Sequence, residues 1–133
     1  MPDPKRIHDI KEFIQFFEAI PDEDWCVGHT HCVIDGKHKY CAYGHLQRQH
    51  QESSYWLDIF PVITRLVNIL RPEVQWHMDR LVNHSNNYIT RLNDGMDSLD
   101  KRYGNHPKTR MLTALKLCLE RESRSQTSAT AEV

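Results

Sequence analysis

With 133 residues the chain is long enough for one domain that buries a core without staples. Its formal net charge of -1 argues against a nucleic-acid binder, which normally carries a basic stripe. The longest apolar stretch, around Ile59 to Leu70, is interrupted by Arg65 and Asn68, so no segment reads as a membrane span. The opening MPDPKRIHDI lacks the apolar region of a signal peptide. The default setting is therefore cytoplasmic, where the four cysteines stay reduced and a disulfide framework is not expected.

Asp3-Pro4 supplies an N-cap followed by a first-turn proline, and Ile7, Ile10, Phe13, Ile14, Phe17 and Ile20 recur at helical spacing. Pro21 ends that helix, and Asp22-Glu23-Asp24 reads as a polar turn. The next stretch, WCVGHTHCVIDGKHKYCAYGHL, holds three of the four cysteines. Asp35-Gly36 between two β-leaning runs predicts a two-residue hairpin, with Ile34 facing Lys37, Cys32 facing Lys39 and His31 facing Tyr40. Alternation then puts Cys26, Thr30, Cys32, Ile34, Lys37, Lys39 and Cys41 on one face. Trp25, Val27, His29, His31, Val33, His38 and Tyr40 fall on the other.

Beyond Cys41, the spacing of Ala42, His45, Leu46 and Gln49 predicts a short helix, and Gln51 to Ser54 a polar loop. Pro61 and Pro72 each look like first-turn prolines, predicting helices over Pro61–Leu70 and Pro72–Asn83. After the polar stretch His84 to Asn87, YITRLNDG fits either a short third strand over Tyr88–Leu92 or a helical turn ending at Asn93. Asn93-Asp94-Gly95 is a turn by composition. A last helix opens at Asn105 or His106 ahead of Pro107, with Met111, Leu112, Leu115 and Cys118 on its apolar face. The predicted architecture is α+β: a mainly helical single domain over 1–122, with one β-hairpin packed on helices. From Ser123 onward a disordered tail is expected over 123–133.

The pattern W-C-x-G, D-G-x-x-x-C-A-x-G-H-L, N-D-G and P-x-x-R-x-L resembles a family of small proteins of bacteria and their phages or mobile elements. The matching positions are Trp25, Cys26, Gly28, Gly36, Cys41, Ala42, Gly44, His45, Leu46, Asn93, Asp94, Gly95, Arg110 and Leu112. The resemblance implies an origin and a single-domain fold, and it brings no activity with it.

Three chemistries compete for the central stretch. Cys26, Cys32, Cys41 and His45 superficially match a three-cysteine, one-histidine zinc set, yet structural zinc usually draws on close ligand pairs, and here only Cys41 and His45 are close. The bland alternative is that the cysteines are small core residues. His29, His31 and His38 share the opposite face and could bind a metal facially, although no Asp or Glu lies on that face to complete the site. Cys41, at a helix start, is the one candidate nucleophile, with His45, or His84 or His106 oriented by Asn93 or Asp94, as its base. Lys101, Arg102, Lys108 and Arg110 bracket the start of the last helix, where an anion such as a nucleotide phosphate could sit; a solvated charged surface is the plainer account. Trp56 and Trp76 read as core or groove walls.

The sequence favours binding over catalysis: a phage or mobile-element accessory or counter-defence factor, with no cofactor, that recognises a host protein or a nucleotide-like small molecule. The expected binding residues are Trp25, His29, His31, His38, Tyr40, Asn93 and Asp94. A cysteine-dependent hydrolase centred on Cys41 with His45 is the alternative from another class, and a small structural zinc protein is the third.

Overall fold

The computed structural model describes residues 3–52, 59–77 and 87–131. Helix α1 (Pro4–Glu18) begins as its sequence predicts, with the Asp3 carboxylate accepting the Lys5 N–H at 3.0 Å. Its buried residues Ile10, Phe13 and Phe17 follow the helical repeat. A 3-10 turn (Asp22–Asp24) leads to strands β1 (His31–Ile34) and β2 (Lys37–Tyr40), then α2 (Ala42–Glu52). Helices α3 (Phe60–Val74), α4 (Asn87–Asp94), α5 (Leu99–Tyr103) and α6 (Pro107–Ala131) complete the chain, with a second 3-10 turn at Gln75–His77. The result is a mainly helical α+β fold with one two-stranded antiparallel hairpin. No helix among the described residues is long and apolar enough to cross a membrane.

Helix α6 is the hub and touches all five other helices. It runs antiparallel to α1. The Arg6 guanidinium pairs with Glu122 late in α6, while His106 and Lys108 at the start of α6 bond Asp22, just past the end of α1. Met111, Ala114, Leu115 and Cys118 face inward from α6 to meet Ile10, Phe13 and Phe17, Leu66, Leu70 and Val74 of α3, and Ile89 and Leu92 of α4. The side chain of Leu112, expected on that buried face, is only partly covered.

Three elements differ from the sequence expectation. Pro72 does not open a new helix but lies inside α3, which continues to Val74. A proline there cannot donate to the carbonyl four residues back. The orphaned Asn68 carbonyl instead accepts the Arg6 guanidinium at 3.0 Å, a partner 62 positions away. Of the two readings of YITRLNDG, the strand over Tyr88–Leu92 is not formed and the helical one is: the segment belongs to α4, with Ile89 and Leu92 on its buried side. Helix α5 carries too few residues for a periodic signal; it packs by Leu99 and Tyr103, one helical turn apart.

Gln51 and Glu52, expected in a loop, belong to α2, and the backbone of α6 continues past Ser123, because adding residues to an established helix needs no new nucleus. The rest of that loop (53–54), Trp56, the end of the Pro72 helix from Met78 and the proposed base His84 lie outside the described residues. Trp76 is neither core nor groove wall: its ring is three-quarters exposed.

Candidate functional site: the hairpin and the joint that mounts it

The hairpin register is the predicted one, pairing His31 with Tyr40, Cys32 with Lys39, Val33 with His38 and Ile34 with Lys37. Asp35 and Gly36 both take positive φ (53° and 78°), the type I′ turn that Asp-Gly encodes. The strand begins only at His31, however, and residues 27–30 are irregular. Alternation therefore does not extend back to Trp25 and Cys26. Trp25 forms instead a single parallel bridge to Tyr40 and turns its ring into the core, 5.6 Å from Phe17 and 5.0 Å from His45 between centroids.

Behind the hairpin, the short motifs scattered along the chain meet in one hydrogen-bonded joint. Asn93, wholly buried, accepts the Ala42 N–H on Oδ1 at 3.0 Å and donates from Nδ2 to the Cys26 carbonyl (3.0 Å) and to Asp94 (2.9 Å). It thus serves as a cap for α2 supplied from another helix, satisfying an amide the α2 start leaves without an intrahelical partner. Asp94 accepts the Gly28 N–H at 3.0 Å. Arg110, also buried, spends its donors on the carbonyls of Leu92, Asn93 and Gly104, closing the C-terminal end of α4. His45 bonds the Asp24 carbonyl through Nε2 at 3.0 Å. Gly44 lies so close to the hairpin base that a Cβ there would fall 2.2 Å from the Thr30 carbonyl oxygen.

This geometry assigns positions to the residues singled out in the sequence. Trp25 and Asn93, expected on a recognition surface, are buried parts of the joint; Trp25 contributes apolar area and Asn93 contributes hydrogen bonds. His29, His31 and His38 are exposed, and Tyr40 is half-buried beside them. The His31 and His38 rings are nearly parallel, with His31 Nε2 and His38 Nδ1 hydrogen-bonded at 2.8 Å. Tyr40 stacks on His31 with centroids 4.6 Å apart, and Arg48 lies 5.3 Å from the Tyr40 ring centre. Asp94 lines an open cleft of about 430 Å³, with Val27, Asp100, Asn105 and Arg110 among its walls.

The zinc set and the thiol–base pair each find their residues engaged elsewhere or buried. Among the described residues no group of three or more His, Cys, Asp or Glu side chains is placed to hold a metal. In particular, His45 of the proposed zinc set is engaged by Asp24, Trp25 and Tyr40. The Cys26 thiol is pushed up to about 12, first by burial and then by its hydrogen bond with Cys32. Cys41 is buried, and burial raises its pKa despite the Gly44 N–H that its sulfur accepts at 3.4 Å. The helix start is thus outweighed by desolvation, and the thiol stays protonated at neutral pH. His106, the other proposed base, accepts the Lys108 N–H on Nδ1 and bonds the Asp22 carbonyl through Nε2, so both ring nitrogens are engaged.

The basic cluster at the start of α6 is also largely committed. Lys108 pairs with Asp22 at 3.1 Å, Arg102 with the buried Glu73, and Arg110 with backbone carbonyls. The cleft beside it is lined by two carboxylates, Asp94 and Asp100, which disfavour a phosphate.

Burial lowers the His45 pKa to about 4. The folded state therefore binds fewer protons than the unfolded one between pH 6.5 and 4. Stability is fully present above the unfolded value and declines as the pH falls through this window. Between pH 7 and pH 5 this group alone is expected to remove about 2 kcal/mol. Thermal midpoints of the wild type and His45→Gln, measured across that interval, check it: the wild type should lose more than the variant, and equal slopes would contradict the burial argument.

The chain matches no family model, no curated protein and no solved structure in the comparisons made.

Proposed function

We propose that this protein is a non-enzymatic binding module whose hairpin recognises a partner protein. The observation that carries the proposal is the contrast between the two ends of the hairpin. At its base, Cys26, Ala42 and Gly28 are tied to Asn93 and Asp94. Toward its tip, Val33 is 54% and Ile34 50% exposed, and Asp35 through His38 face solvent. An isolated two-stranded hairpin is marginal in water, so one held by a buried joint and lending little to the core is suited to presentation. Its tip offers aliphatic area and its side offers imidazole and phenol groups, a mixture that favours protein contact. Lys37 and Lys39 have no ion-pair partner among the described residues, which gives the opposite face a positive character.

Beside the resemblance to phage and mobile-element proteins, the partner is a host protein and the chain an accessory or counter-defence factor. A nucleotide-like ligand has weaker support, because three of the four cations at the start of α6, Arg102, Lys108 and Arg110, are engaged. A hydrolase centred on Cys41 would need the buried thiol to ionise.

Photocrosslinking in cells of the host tests the proposal. A crosslinking residue at Ile34 should give a discrete adduct that Val33→Asp together with His38→Ala suppresses, with the thermal midpoint unchanged within a few degrees. The same residue placed at the exposed Phe60, on α3, should give none. Absence of an adduct at Ile34, or an identical one at Phe60, would overturn it.

A further inference from the structure

The geometry points to a second property of the hairpin: His31 and His38 form a two-nitrogen site for a late first-row divalent ion such as Cu²⁺, Ni²⁺ or Zn²⁺. This stands apart from the docking proposal, since neither the site nor its test involves a partner. The decisive feature is that His31 Nε2 and His38 Nδ1 already face each other at 2.8 Å. Ligand nitrogens at about 2.0–2.1 Å from one ion lie roughly 2.9 Å apart at a right angle and roughly 3.4 Å apart at the tetrahedral angle. The pair is therefore within a few tenths of an ångström of a chelating separation.

The backbone supplies the preorganisation. His31 and His38 are diagonal neighbours across the two strands, fixed by the ladder and by the type I′ turn that joins it. The Tyr40 ring, stacked on His31, supports that imidazole from the neighbouring strand position. Ring centroids 5.0 Å apart, with planes only 6° from parallel, mean that the two nitrogens meet nearly head-on. Converging both lone pairs on one ion beside the line between them takes a swing of roughly 35–45° by each ring at metal–nitrogen distances of about 2.0–2.1 Å, open to two exposed side chains.

The proton account balances without loss. One of the facing nitrogens carries the proton of the His–His hydrogen bond. On metal binding that ring adopts its other tautomer, with the proton on its outer nitrogen, His31 Nδ1 or His38 Nε2. Two neutral imidazoles then hold the ion, which keeps its 2+ charge, and water fills the remaining positions. Imidazole suits copper, nickel and zinc and discriminates against calcium and magnesium, which prefer oxygen.

Isothermal titration of the purified full chain with Cu²⁺, Ni²⁺ or Zn²⁺ in a non-chelating buffer tests the site. One equivalent should bind, in the order nickel below copper above zinc. His31→Ala and His38→Ala should each weaken binding by about tenfold or more. Each variant should keep its thermal midpoint in the absence of metal, which excludes unfolding as the cause. His8→Ala, at an exposed histidine of α1 that pairs with Glu12, should leave the titration unchanged; loss of binding in that variant would place the site at His8 and overturn the assignment. Amide spectra titrated with Cu²⁺ should broaden first at residues 31 and 38. Binding that survives the His31→Ala/His38→Ala double variant, or no binding below millimolar metal, would also overturn it.

Discussion

Asn93→Ala is expected to lower the free energy of unfolding by about 3 kcal/mol, because it strands several buried polar groups at once. The Ala42 amide loses its acceptor, the Cys26 carbonyl loses its donor, and Asp94 loses one of the two N–H groups on its Oδ1. Asn93 is wholly buried, so the stranded groups have no bulk solvent to pair with. Chemical denaturation measures the loss directly. Asn93→Asp separates its components: the acceptor for Ala42 survives, the donor to Cys26 does not, and a second carboxylate arrives beside Asp94. It should be no more stable than the alanine variant. A change below about 1 kcal/mol for Asn93→Ala would mean that the joint is not a stabilising centre.

Gly44→Ala should be more damaging still, costing about 4 kcal/mol. The test is sharp because two effects have opposite signs. Alanine is the better helix former, so in an unobstructed turn of α2 it would stabilise by about 1 kcal/mol. Here the added methyl would stand 2.2 Å from the Thr30 carbonyl oxygen, and that same oxygen accepts the Cys41 N–H at 3.1 Å. The methyl cannot be accommodated without parting α2 from the hairpin base. A stabilised or unchanged Gly44→Ala protein would show that this approach is not present in solution.

What the sequence made legible follows from how local each signal is. The Asp35-Gly36 turn specifies its own geometry and, through it, the pairing of four residues on each strand. Helix α1 could be read because its cap, its proline and its apolar stripe all lie within the helix. The Pro72 expectation failed for a non-local reason, since Arg6 compensates the carbonyl that proline orphans. Extending strict alternation to Trp25 failed because the ladder stops at His31, leaving that ring free to turn inward.

The candidate site divides in the same way. His31 and His38 stand exposed on the hairpin that the Asp35-Gly36 turn predicted, whereas His29 is exposed in the irregular segment that precedes it. Burial of Asn93 does not follow from composition: Asn-Asp-Gly is a turn signal, and only the approach of Cys26 and Ala42 converts the asparagine into a joint. Arg110, near a helix start, fitted either an anion site or, more plainly, a solvated charged surface. Its side chain instead runs back to the carbonyl end of α4, a direction that spacing within one helix cannot reveal. Trp25, Cys26, Gly28, Ala42, Gly44, Asn93, Asp94 and Arg110 are separate short motifs with no common chemistry, a pattern better suited to residues that hold one another in place.

The joint also bears on the order in which the molecule becomes itself. Its bonds close loops of 51, 66 and 67 residues, from Ala42, Gly28 and Cys26 to the end of α4. The entropy of closing such loops is due before any of these contacts can form. At ordinary synthesis rates of about 5–20 residues per second, roughly 3–10 seconds separate the emergence of Ala42 from that of Asn93. Throughout that interval the hairpin has only its local turn chemistry to favour pairing, which leaves it marginal in water, its base still unattached. The finger is thus mounted late, and its anchorage belongs to the finished chain rather than to the segment that bears it.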